Sequence, residues 1–560
     1  MQTELIRYLL NVVRSFFWML FFAAILEAQA PSTSPQQSPN AGSYRVSGTV
    51  GSAVDGRPLA RANIFLTDTK DAKNKQGTVS TDTGYFAFNR VAKGKYSLEG
   101  AKRGFISQDY NQHEQFSTAI VTGADVPTED LLLRLPPEAV ISVRVTDESS
   151  EPVRKGSVML YREDRSTGLR HVVGVESRQT DDLGSCEFAR LAPGVYFVGV
   201  TASPWYGVHP ATVRRDGEED PSTAELRSFD VAYPPTYYGD VTEADSATPI
   251  AVKPGDQFQA EIHLSPVQAL HLVFRAAGDG QHGFTMPSLQ KSGFDGEQLN
   301  PLIETRNISP NSFEIVGISP GRYQVSWPGS APREVDIGNN GQDLSDAKGE
   351  PFSTVKASVR VLGDAKLPGP ILIQLRPADE RTGTVQARVD EKGQATFENV
   401  IPHNYNVFAS TFGAAGLKPY SVVQISSQDG ATAGPSLNVP PGSSLSVSLS
   451  LVSGMMTVEG FARRAGKPVA GAMIVLVPEN PDQNRALFRR DQSDLDGSFS
   501  LQGVVPGSYT AVAIEDGWDM DWSLPALIES YVKNGKPITV ADQPGHSMQL
   551  NGAVEVQPHH

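Results

Sequence analysis

The chain has 560 residues, 39 % hydrophobic and 20 % charged, and its 51 glycines and 40 prolines exceed the usual share. That length is more than one hydrophobic core normally serves, so several domains are expected. Forty-eight Lys and Arg against 63 Asp and Glu leave a formal charge of −15, a surface that repels phosphate backbones and excludes nucleic acid as a partner.

Residues 1–30 come first in the chain. Arg7 and Arg14 precede an apolar run from Ser15 to Leu26 and then Ala28-Gln29-Ala30, the layout of a secretory signal peptide with a small-residue cleavage site. The apolar stretch before Arg14 leaves an uncleaved anchor as the alternative, and only through that segment is a membrane expected to be met. Residues 31–43, PSTSPQQSPNAGS, read as a flexible tether. No second long apolar segment follows, so the body is expected to be extracytoplasmic, in the periplasm, on the cell surface or secreted. The single cysteine, Cys186, excludes a disulfide framework.

One phrase then recurs five times: GYFAFNRVAKGKY (84–96), GSCEFARLAPGVY (184–196), NSFEIVGISPGRY (311–323), GQATFENVIPHNY (393–405) and GSFSLQGVVPGSY (497–509). Each starts on a turn residue and closes on a tyrosine. Apolar residues fall two and four positions in (Phe86 and Phe88, Cys186 and Phe188, Phe313 and Ile315, Ala395 and Phe397, Phe499 and Leu501), which is the period of one face of a strand. A further aliphatic (Val91, Leu191, Ile318, Val400, Val504) precedes a second turn. Upstream of each phrase lies a strand, a turn and another strand, as in YRVSGTV followed by DGRPLARANIFLTD; the third copy, from Ala269, lacks the prolines. Short alternating strands split by Gly and Pro predict an all-β chain: a tandem array of about five small Greek-key β-sandwiches, prealbumin-like or immunoglobulin-like. The expected modules span 44–136, 137–266, 267–350 (divergent), 351–452 and 453–556.

SGTVGSAVDGRPLARANIFLTD followed by STDTGYFAFNRVAKGKYSLEGAKRGF resembles the carboxypeptidase regulatory-like domain, whose closing hairpin G-x-[FY]-x-[FL]-x-x-[VL]-x-x-G-x-Y is matched here. The sandwich is also similar to transthyretin-like and collagen-adhesin B-type modules and to the carbohydrate-binding-like fold. The resemblance implies a fold, not catalysis.

Several residues look chemical but fit plainer roles. A metallocarboxypeptidase needs an H-x-x-E pair with a distant His and a thermolysin-like enzyme needs H-E-x-x-H. Neither occurs, so the ten histidines, His263 and His271 among them, are expected to be structural or solvent-facing. Gly317 to Gly321 spells a nucleophile elbow around Ser319, but a strand rather than a helix follows, which makes Ser319 a turn residue. Asp494 and Asp496 lack the distal Glu of a calcium loop and suit a hairpin turn. Cys186 occupies the slot held elsewhere by phenylalanine, and a small buried hydrophobe is expected. No cofactor, metal or catalytic residue is predicted.

Aromatic residues in the connections after a closing hairpin are the candidate ligand-binding groups: Trp205 and Tyr206, then Tyr233, Tyr237 and Tyr238, then Trp518 and Trp522, with Asp240, Asp519 and Asp521 beside them. Flat rings suit sugar faces while carboxylates take hydroxyls; the plainer reading is packing between modules. The sequence thus points to an exported, non-catalytic array that binds, adheres or scaffolds, with a glycan, an envelope polymer or an envelope protein as partner. A carbohydrate-binding protein, with Trp518 and Trp522 as the rings expected to meet the sugar, is the first alternative, and an enzyme with an unrecognised site between modules the second.

Overall fold

The computed structural model describes residues 44–210, 225–276, 286–362, 370–378, 383–411, 419–427, 430–453, 455–482, 484–541 and 547–559. The signal segment and tether expected at 1–43 lie outside the described residues. Among the described residues, no helix is long and apolar enough to cross a membrane.

The chain is a tandem array of β-sandwiches, and one wiring diagram is used five times. In the first unit the strand Tyr44–Ser52 lies between Tyr85–Val91, antiparallel, and Leu131–Leu135, parallel. The facing sheet runs Lys75–Val79, Asn63–Asp68, Gly94–Ala101 and Ile120–Thr122. The equivalent central strands are Ala139–Thr146, Leu270–Arg275, Ser353–Val361 and Met456–Arg464, each antiparallel to the first strand of its closing hairpin and parallel to a later one. The third unit shares the diagram although its upstream phrase is divergent. Each unit has its own apolar core, and these hold Phe86, Phe188, Phe313, Phe397 and Phe499.

The repeated phrase has three fixed points, each with a physical cause. Its first residue is left-handed (Gly84 φ 72°, Gly184 71°, Gly393 78°, Gly497 78°), and a Cβ on Gly184 would lie 2.5 Å from the Val145 carbonyl oxygen. Asn311 (φ 61°) fills the slot in the third copy, the residue besides glycine that tolerates this region best. Six positions on, a second left-handed residue (Arg90, Arg190, Gly317, Asn399, Gly503) sits where the strand pairing slips by one. That β-bulge turns the following aliphatic into the core; Val91, Ile318, Val400 and Val504 are wholly buried. Finally, each closing tyrosine is buried and donates its hydroxyl to the carbonyl four residues back: Tyr96 to Ala92 (3.2 Å), Tyr196 to Ala192 (2.7 Å), Tyr323 to Ser319 (2.8 Å), Tyr405 to Ile401 (2.8 Å) and Tyr509 to Val505 (2.8 Å). The bond lets a large amphipathic ring fill the core without an orphaned hydroxyl, so the spacing cannot drift.

The units fold back on one another. The first meets the second where Phe105 bridges Pro137. The first also meets the fifth: the Leu495 amide donates to the Ala119 carbonyl at 3.0 Å and Lys95 pairs with Asp494 at 2.7 Å. The second reaches the fifth through Arg165 and Asp521 at 3.3 Å. Most of these contacts come from one topological place, the connection that follows the closing hairpin.

Candidate functional site

The connection after the fifth hairpin begins with a 3₁₀ turn at Gly517–Asp519 and continues into the helix Pro525–Val532, which starts on a proline suited to a first turn. It covers the outer face of the sheet, adding Trp518, Met520, Trp522, Ile528 and Tyr531 to Val475, Val477 and Val512. Trp518 is 7 % exposed and Trp522 5 %, so the two rings that the sequence singled out are inside rather than on a surface. Trp518 stacks on His113 of the first unit, with centroids 4.7 Å apart and planes 5° from parallel, and donates to the Gly471 carbonyl at 3.3 Å. The Arg490 guanidinium lies 5.0 Å from the Phe116 ring, 5.4 Å from Trp518 and 4.7 Å from Trp522, and pairs with Glu114 of the first unit. Three rings around one desolvated cation make a strong cation–π site, and it cements two units. Asp521 is taken by Arg165.

The connection after the second hairpin divides. Tyr237 is buried in a second layer on that unit's outer face, with Tyr161, Phe197 and Phe294 of the third unit; it is a packing residue. Tyr238 packs edge-on against Phe258 at 5.7 Å. Asp240 accepts from the His263 amide at 2.8 Å.

Trp205 is different: it is 82 % exposed. Its ring meets Tyr206 edge-on at 5.7 Å, and Tyr206 meets the exposed Phe229 at 6.4 Å, with Val208 and Leu226 also exposed. Below this ledge the Glu148 carboxylate accepts the hydroxyl of Tyr206 and that of Tyr233, the latter at 2.8 Å. Partial burial opposes ionisation of Glu148, but the two phenols outweigh it and hold the carboxyl below its usual range. Burial, with the Glu148 charge added, pushes Tyr206 up to about 12. The carboxylate therefore fixes the orientation of Tyr206. Sequence reasoning named Trp205 and Tyr206 but not Glu148 or Phe229, because the contacts span 58 and 23 positions and no local pattern announces them.

The junction between the second and third units holds a buried charge cluster that no local sequence pattern announces. His271 is 1 % exposed; its Nδ1 lies 3.0 Å from Glu314 and its Nε2 2.8 Å from Asp230. Asp230 also faces His209 Nδ1 at 2.9 Å. Burial alone would depress the imidazole, yet the two carboxylates outweigh it and raise His271 to about 9. Asp230 is held low by the same bonds, against the effect of burial. Both ring nitrogens are engaged by carboxylates, so the group is an ion cluster that fastens two units.

The remaining residues are quickly placed. The Ser319 hydroxyl lies 3.0 Å from that of Tyr323, inside the third hairpin turn. Asp494 accepts from the Ala119 amide at 3.0 Å as well as from Lys95, and Asp496 from the Ser498 amide at 3.0 Å. Cys186 is half-buried against the second core, and burial pushes its thiol up to about 11. Among the described residues no group of three or more His, Cys, Asp or Glu is arranged to hold a metal.

These features define a tandem β-sandwich protein whose connections fasten unit to unit. Its first unit matches the carboxypeptidase regulatory-like domain family over residues 45–126, as its residues implied. Among solved structures, the chain is similar over 40 % of its length to 97 % of GBS52, the minor pilin of Streptococcus agalactiae, at 11 % identity and TM-score 0.22. It is similar over 94 % to 75 % of the Bacillus anthracis TIE protein (9 %, TM-score 0.16), and over 54 % to 98 % of a streptococcal ancillary pilin (10 %, TM-score 0.20). Values this low carry no inference about activity. The comparison with curated proteins gave no match.

Proposed function

We propose that the chain is an exported, non-catalytic protein that binds a polymer of the cell envelope or its surroundings, and that the Trp205 ledge is its contact surface. The observation that carries this reading is the ledge itself. A tryptophan exposed to 82 % stands on a sandwich whose own core is complete, beside a tyrosine whose hydroxyl is locked by Glu148. An exposed indole costs solubility and contributes nothing to packing, whereas sugars offer flat C–H faces that such a ring can cover. A glycan is therefore the favoured ligand, and an envelope protein the alternative.

A glycan and cell-wall polymer array, probed with the wild-type chain and with Trp205→Ala, tests this. Binding that falls by roughly tenfold or more in the variant, with unchanged melting, supports it; loss of a well-placed aromatic anchor has that size. An array that stays silent for the wild-type chain overturns the glycan reading.

A further inference from the structure

A second surface, independent of the ledge, lies on the fifth unit. Between the helix Pro525–Val532 and the segment that follows the strand Met473–Pro478 runs a trough of about 650 Å³, within the range of ligand-binding clefts. Its floor is the outer face of the sheet, where Ser508, Thr510 and Thr539 line it. One wall is apolar and built by Pro525, Ile528 and Val532 of the helix; the other carries Glu479 and Asp482, and Glu529 adds a third carboxylate from the helix side. No lysine or arginine lines it. Glu529 has Lys533 4.0 Å away, one helical turn on and well exposed. Glu479 and Asp482 have no ion pair among the described residues.

The strand Lys536–Val540 forms one margin of this trough and pairs only with Gly507–Ile514 among the described strands. An exposed strand edge accepts an extended chain. An apolar wall facing carboxylates across hydroxyls asks for a chain that alternates apolar and cationic side chains.

We propose that this trough binds an extended basic peptide segment, its apolar side chains against Ile528 and Val532 and its ammonium or guanidinium groups at Glu479, Asp482 and Glu529. The occupant is cationic because every charged lining group is acidic and the chain carries a net charge of −15, which steers cations toward it.

The test is calorimetric titration of the full chain with the peptide acetyl-Lys-Leu-Lys-Val-Lys-amide. Parallel titrations use peptides in which glutamine or glutamate replaces every lysine. Binding of the lysine peptide is expected, weakening as salt rises. The glutamine peptide should bind roughly tenfold or more weakly, since hydrogen bonds to charged groups are being exchanged for neutral ones. Glu479→Gln with Asp482→Asn, both exposed side chains, should cost the same factor. Ser508→Trp should abolish binding by filling the floor, and Trp205→Ala should leave it unchanged, which separates this site from the ledge. Equal binding of the three peptides, no heat with the lysine peptide, or an unaffected Glu479→Gln/Asp482→Asn double variant overturns the proposal. If Ser508→Trp does not fold, the double variant decides.

Discussion

Two polar junctions of the molecule are built on opposite plans. Between the second and third units, neighbours in the chain, an imidazolium is enclosed by two carboxylates; His271 and Glu314 are both 1 % exposed at the side chain. Between the first and fifth units, the two ends of the array, Arg490 is 2 % exposed but its partner Glu114 is 26 % exposed, and aromatic faces take over part of the task of neutralisation. The contrast follows from connectivity. Neighbours are held at high effective concentration by the chain itself, so their junction can use buried charge, which adds little net stability but fixes one arrangement. Units nearly 400 positions apart along the chain must find each other unaided. Their junction uses what gives affinity at a wet boundary: cation–π contact, ion pairs and main-chain bonds such as Leu495 to Ala119.

The sharpest way to break this comparison is at His271. His271→Ala removes the imidazolium that both Asp230 and Glu314 face in the buried junction and should cost about 3–5 kcal/mol, read by urea unfolding followed with hydrogen exchange in the third unit. A loss below about 1 kcal/mol would mean the cluster is not desolvated as drawn. Arg490→Ala should cost about 2–3 kcal/mol and, unlike the first variant, should increase the radius of gyration in solution scattering as the first and fifth units part.

Acidity separates the junctions too. His271 is raised to about 9 from an unfolded value near 6.5. Its contribution is therefore complete below about pH 6.5 and disappears as pH climbs through 9. Between pH 7.5 and 10 about 2 kcal/mol should be lost from the third unit, a slope that Arg490→Ala keeps and His271→Gln removes. Smaller still, Lys95→Ala should cost about 0.5–1 kcal/mol, because Lys95 is still 34 % exposed at the side chain and the pair is partly screened. Trp205→Ala should leave melting within about 0.5 kcal/mol of wild type; a larger loss would convert the ledge from a contact surface into a structural one.

Much of the fold was legible, for reasons that lie within single hairpins. A left-handed turn residue, a strand period and a closing tyrosine are local demands, so they leave local traces, and the third copy keeps them, with Asn311 in the glycine's place, even where its upstream strands diverge. The bulge was not legible: Arg90, Arg190 and Asn399 share only a left-handed backbone, and no common side chain marks it. The site was legible by half. Aromatic residues in the connections stand out in the sequence, but whether a ring faces water or a neighbouring unit depends on how units dock. Trp518 meets His113 across some 400 positions, while Trp205 meets Tyr206 of its own loop. The His271 cluster joins three residues of ordinary spacing from three separate segments, and nothing short of the fold assembles them.

The contact between the first and fifth units also decides how the molecule carries load. In a linear string of sandwiches, tension applied at the two ends passes through every unit in series. Here the end units touch, so a pull between Tyr44 and the strand Val554–Gln557 is shared by the direct contacts between them: the pairs Lys95–Asp494 and Glu114–Arg490, the Leu495-to-Ala119 main-chain bond and the Trp518–His113 stack.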